Sequence, residues 1–459
     1  SIAVAAAALA GYRIYKNAKI PTYVKKVRSM KKAIKAKKDI SESLLYRSKE
    51  VFVGENVNYK WEKIGLSLED ILNIKLKKKV TKAEKKISES VTRREVKPIG
   101  MVFMRWDERI GAEILNKYPE DVVISEKTLM QIYSTHEYSG EPGVITLSAG
   151  ALNIVSYYTG PETSYYLLLI LDMDDDPDLY EAGMADVLRI LLENIENDAY
   201  LQLIPSLFQR LSLYPSLSEE EMLALQYQDE IKQMIIDNLR DNAVISKSEL
   251  TIWLREKYIE GFVDIEATLR ELIKRDVIKQ VSVKGLPSEL IVLINDIYML
   301  RVPPVEIFKN PVDRGLPTQF AKEYKEVVKN FFQEYHPSKE DNLKVIGILI
   351  NPEVYETFRL LRTSVATRED LEKLRTKGVK DIYGVLKLLW DNNLVKVFRD
   401  ENNNEYYALL SDFYMDLIFP KYLLQVIKKA YDQKSLANKA LIEFLDVLED
   451  TYYELKTKK

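Results

Sequence analysis

Cysteine is absent from this 459-residue chain, and histidine occurs twice, as His136 and His336. The first shortage excludes disulfides, cysteine nucleophiles, thiolate zinc and cysteine-bound iron–sulfur clusters. The second leaves almost nothing for histidine metal sites or triads. The sequence also lacks G-x-x-x-x-G-K-[ST], G-x-G-x-x-G after a strand, G-x-S-x-G and H-E-x-x-H. No catalytic, cofactor-binding or metal-binding residue is therefore assigned, and a non-enzymatic role is expected. The want of cysteine also suits a reducing compartment.

What is present is 46% hydrophobic residues, enough for substantial cores, and a net charge of −3 that hides an asymmetry. Residues 1–99 hold 25 basic and 10 acidic residues, whereas the remainder holds 42 and 60. The chain opens with twelve uncharged residues, short of the roughly 20 that span a bilayer. It then carries eleven cations without one acidic residue: Arg13, Lys16, Lys19, Lys25, Lys26, Arg28, Lys31, Lys32, Lys35, Lys37 and Lys38. An apolar stub beside such a block suits the cytoplasmic face of an anionic membrane, where each cation is worth about 1 kcal/mol. A nucleic-acid arm accounts for the charge but not the stub. A solvated tail remains the plain alternative.

Composition divides the chain further. Residues 1–38 form the stub and basic segment, and 39–98 a partly ordered tether ending at Pro98. Over 99–215 the pattern predicts β-β-α-β-β-β-α-α: a hairpin from IGMVFMRW and AEILNKYP, a helix capped by Ser125, strands VITLSAG, LNIVSYYTG and SYYLLLILDM, then two helices. Pro205 is expected in the first turn of the last helix. Asp172, Asp174, Asp175, Asp176 and Asp178 mimic the start of a calcium loop, yet Pro177 and Gly183 stand where such a loop needs Gly and Glu. An acidic helix cap is the expected role. Strand alternation predicts one outward ring from Tyr157 and Tyr158 and another from Tyr165 and Tyr166, a candidate partner surface.

That element order, with the phrases MVFMRWDERIGAEILNKYP and ALNIVSYYTGPETSYYLLLILDMD, resembles the longin fold, which is profilin-like. Residues 216–305 resemble a winged helix: a long helix, a helix capped by Ser246, a third helix DIEATLRELIKRD and a hairpin turning at Lys284-Gly285. Residues 306–350 read as a connector with a helix and a strand. The grammar returns over 351–419, and 420–459 reads as one long helix whose apolar stripe leaves a homo-oligomer open. The fold class expected is α+β and multidomain: a longin-like domain, two winged helices and a C-terminal helix.

The resemblance implies a membrane-trafficking or GTPase-regulating adaptor, of a kind also found in archaeal proteins, with a small GTPase or another subunit as partner. The alternative is a transcription regulator. Against it, Asp264, Glu266, Glu271 and Asp276 surround the cations of the first third helix, and Asp400-Glu401 forms the second wing tip. Phosphate would be repelled there.

Overall fold

The computed structural model describes residues 20–46, 98–140, 142–196, 198–242, 244–258, 265–335 and 338–457. Arg13, Lys16, Lys19, His336 and most of the 39–98 tether lie outside the described residues. The chain is α+β and divides into two compact units. The larger comprises residues up to 76, 220–250 and 276–459; the smaller comprises 77–219 and 251–275.

Helix α1 (Thr22–Lys35) belongs to the larger unit. In the smaller unit, β1 (Gly100–Asp107), β2 (Gly111–Tyr118), α2 (Glu126–Ser139), β3 (Gly143–Ala149), β4 (Leu152–Tyr158) and β5 (Tyr165–Asp172) precede α3 (Glu181–Glu193) and α4 (Tyr200–Leu213). The strands make one antiparallel sheet in the order β2-β1-β5-β4-β3. Ser125 caps α2, accepting the Thr128 N–H at 3.1 Å, and Gly140 (φ +67°) ends it by donating to the His136 carbonyl.

Both sheet faces are covered. On one, Val102, Met104, Ile154, Tyr158, Tyr166 and Leu168 bury against Leu129 and Ile132 of α2. On the other, Phe103 meets Tyr200 of α4 edge to face, and Met184, Val187, Leu188 and Leu191 of α3 are buried. Pro205 lies in the second turn of α4, not the first, and the helix continues through it. The acidic loop is a turn: Asp176 accepts the Asp178 N–H in a short 3-10 segment, while α3 itself lacks a side-chain cap. Gly183 has a packing reason, since a Cβ there would come within 2.7 Å of Leu211.

The next helices are α5 (Glu219–Gln228) and α6 (Glu230–Asn242), where one helix was expected; Asp229 interrupts it and accepts the Lys232 N–H. Then come β6 (Val244–Ser246), α7 (Lys247–Lys257), α8 (Ile265–Lys274), β7 (Ile278–Val281) and β8 (Leu290–Leu293). Ser246 and Glu249 cap α7 reciprocally, each accepting the other's backbone N–H at 3.2 Å. Residues 251–275, with most of α7 and all of α8, belong to the smaller unit.

In the larger unit β9 (Asp296–Val302) is followed by α9 (Val305–Lys309), α10 (Ala321–Glu334), α11 (Lys339–Leu349), α12 (Pro352–Thr363), β10 (Ala366–Thr367), α13 (Arg368–Glu372), α14 (Ile382–Asp391), β11 (Val395–Arg399), β12 (Glu405–Leu409) and β13 (Asp412–Ile418). The connector's expected strand is absent among the described residues; its apolar run VIGILI is helical, with Ser338 capping α11 and Val345, Ile346 and Leu349 buried at helical spacing. The single helix expected over 420–459 is two, α15 (Leu423–Asp432) and α16 (Asn438–Thr457), parted where Lys434 takes a left-handed φ of 54°. Their stripe is spent internally: Leu441, Phe444, Leu445 and Leu448 are buried, and α16 lies against α1.

β9 pairs with β13 along its whole length, and three arginines anchor this ribbon. Arg240 donates to Asp296, which also accepts from Tyr422 at 2.7 Å. Arg301 donates to Asp341 at 2.8 Å and to Ser411 at 3.0 Å. Arg362 donates to Asp412 at 2.7 Å and Glu220 at 2.9 Å, and its guanidinium lies 4.7 Å from the rings of both Phe358 and Phe413. Breaking a buried pair leaves uncompensated charge, so Arg362→Ala should cost the larger unit about 3–5 kcal/mol in urea unfolding. The exposed Lys380→Ala should stay within about 0.5 kcal/mol. Equal costs for the two would show that the node contributes nothing.

Candidate functional site

The four tyrosines do not form the outward surface expected of them. Their side chains alternate between faces as strand geometry requires, but helices cover both faces. Tyr157, Tyr158 and Tyr166 are buried, and Tyr165 is half-buried in a stack on Phe103. Alternation chooses a face; it cannot say whether water lies beyond it.

Tyr158 and Tyr166, directly opposed on β4 and β5, stack at 4.5 Å beside His136. His136 is 1% exposed and shares a 3.0 Å hydrogen bond with Ser156 Oγ. Burial drives its pKa down to about 4 and raises that of both tyrosines. The ring pins α2 to β4 and has no face open to a substrate. Among the described residues no cluster could hold a metal ion.

Another part of the smaller unit was not legible in the sequence. Helix α8 is the segment that a first winged helix would offer to DNA. Its Arg270 and Lys274 instead line a small cavity with Val144 and Tyr157 of the sheet and Glu181 of α3. Lys274 pairs with Glu181 at 3.2 Å, and Arg270 reaches the backbone of β3 at Gly143. In the larger unit the acidic loop between β11 and β12 is a built turn: Asp400 accepts the N–H groups of Asn402 and Asn404 at 2.9 and 2.8 Å.

The basic segment shows the clearest division of labour. In α1, Tyr23, Val24, Val27, Met30 and Ile34 are buried, each contributing about 1.5–3 kcal/mol. Tyr23 sits 4.9 Å from the rings of both Phe419 and Tyr452. Arg28 pairs with Glu449 of α16 at 2.6 Å, Lys31 pairs with Asp446, and Lys26 donates to the Leu45 carbonyl. Lys25, Lys32 and Lys35 lie on the opposite side of the helix, exposed, followed by exposed Lys37 and Lys38. Three of the eight described cations are thus held internally and five face outward. Among the described residues no helix is long and apolar enough to cross a membrane.

No protein-family model matches this chain, and comparison with curated proteins finds no match.

The buried histidine makes a pH prediction. Its unfolded ring protonates near 6.5 and its folded ring only near 4. The unfolded chain therefore binds the extra proton between those values, and stability falls as pH drops through them. By pH 4.5 the loss should be about 2.5 kcal/mol in urea unfolding followed by tryptophan fluorescence. His136→Phe should remove that part of the loss; an equal loss in both proteins would discard the assignment.

Proposed function

We propose that this chain is a non-enzymatic adaptor or regulator working at the cytoplasmic face of an anionic membrane, where it binds a small GTPase or another protein subunit. The observation that carries the membrane half is the orientation of α1. An amphipathic anchor inserts its apolar face between lipid headgroups. Here that face is buried in protein, and a rigid row of lysines points outward. Such a helix suits reversible electrostatic attachment rather than insertion.

The partner half rests on resemblance. The order β-β-α-β-β-β-α-α, with its doubly covered sheet, supports the longin-like reading of 99–215. The succession α6, β6, α7, α8, β7, β8 and its echo α12, β10, α13, α14, β11, β12 support two winged helices. The DNA-binding alternative is disfavoured because Arg270 and Lys274 turn toward β3 and α3, and an Asp400-centred turn tips the second wing.

Flotation tests the membrane half. The chain should float with vesicles containing phosphatidylserine, not with phosphatidylcholine alone, and salt should release it. Replacing Lys25, Lys32, Lys35, Lys37 and Lys38 by Gln should weaken binding at least about tenfold, given about 1 kcal/mol per cation. Flotation indifferent to these changes removes the membrane from the proposal.

A further inference from the structure

Two helices of the larger unit end alike. At the close of α1, the Lys37 N–H donates to the Ile34 carbonyl and the Lys38 N–H to that of Ala33. At the close of α15, the Lys434 N–H donates to the Tyr431 carbonyl and the Ser435 N–H to that of Ala430. Glycine is the usual left-handed residue in such a turn, yet Lys37 and Lys434 hold φ values of 53° and 54°. The other described non-glycine residues at positive φ are Ser, Asp or Asn, whose short polar side chains tolerate it. Lysine offers no such help. Nor does the helix dipole require these two, since Lys32 and Lys35 already stand in the last turn of α1 and Lys429 in that of α15.

The two turns adjoin. Tyr431 Oη donates to the Lys38 carbonyl at 3.2 Å. The segment that follows runs back along α15, where Lys428 pairs with Glu42 at 3.1 Å and Gln425 donates to the Tyr46 carbonyl at 2.6 Å. Lys37, Lys38, Lys429 and Lys434 are all exposed. Carboxylates stand among them: Asp39 follows Lys38, and Asp432 pairs with Lys428. Counting each carboxylate at full charge still leaves the surface basic, because residues 20–46 and 420–457 carry fourteen cations against eight carboxylates. With α6, which packs on α15, the totals are sixteen and eleven.

We infer that α15 meets the anionic bilayer together with α1, Lys429 and Lys434 standing beside Lys37 and Lys38 against the lipid headgroups. A surface of anionic lipid attracts each cation that comes within about 8 Å of it at physiological salt. Two helix ends stitched together fix how the larger unit sits on that surface, which one helix alone would not. This rests on the membrane role proposed for α1 and names the second element that touches lipid.

The test is flotation of the full chain with vesicles of phosphatidylcholine and phosphatidylserine. Lys429→Gln combined with Lys434→Gln should weaken binding about tenfold or more with every α1 cation in place, since each cation is worth about fivefold. Lys322→Gln combined with Lys329→Gln, both exposed on α10, changes the net charge equally and should leave binding as it was. Lys434→Gly should unfold at no lower urea concentration than the parent, because glycine relieves the left-handed turn, and still bind about fivefold more weakly. A lysine kept for its turn alone predicts the reverse, a lower urea midpoint with binding unchanged. The inference is overturned by that reverse result, by a Lys429 and Lys434 variant that floats as the parent does, by an α10 variant that weakens equally, or by duplex DNA binding through Lys429 and Lys434 where vesicles do not. Flotation lost with the α1 lysines but not with the α15 pair would leave α1 as the sole attachment and strike this inference alone. A parent chain that does not float strikes both.

Discussion

A guanidinium ion taken out of water must be met by carboxylates or it will not stay buried. The larger unit depends on this requirement three times over. Asp296 opens β9, Arg301 lies near its end and Asp412 opens β13, so the ionic nodes clamp both ends of one two-stranded ribbon. Each node also recruits a distant helix: α6 through Arg240, α11 through Asp341, and α5 with α12 through Glu220 and Arg362. Segments far apart in sequence are thereby held in one register. Hydrophobic burial supplies most of the driving force, but it is non-directional. The forked arginines say which way each piece must lie.

That ribbon is also where the sequence was least legible. IYMLRV and DFYMDLI each look like ordinary strand ends, and nothing in either indicates that they pair across more than a hundred residues. Local signals fared better. Ser125 and Ser246 start helices because a side-chain oxygen near a free N–H is a short-range matter. The hairpins of the smaller unit were readable because alternation and glycine punctuation are local too. Breaks set by a single residue were missed, as at Asp229 and Lys434. The run VIGILI was misjudged because its β-branched residues yield to the core around α11. The tyrosine pairs failed for a related reason, since a strand's pattern does not reveal how many layers will cover it.

The near-neutral total of −3 can now be resolved into parts. Some of the basic segment's charge faces α16, where Glu449 and Asp446 answer it, and some faces solvent. Some of the acidic excess has no partner-seeking role, because Asp176, Asp381 and Asp400 are structural acceptors within turns and caps. Net charge by domain is therefore a poor guide to which surface attracts what. The committed and uncommitted ions have to be told apart.

The pairing of α1 with α16 has a bearing on how the molecule is made. Arg28 and Glu449 are separated by 421 positions. At about 5–20 residues per second a ribosome needs roughly 20–80 seconds to cover that distance. Throughout that interval the stripe of Val24, Val27, Met30 and Ile34 has no native surface to cover it. A chain halted before Asn438 never gains one. Closure of the larger unit thus waits on the synthesis of α16, and a stop before it leaves the apolar face of a basic helix uncovered.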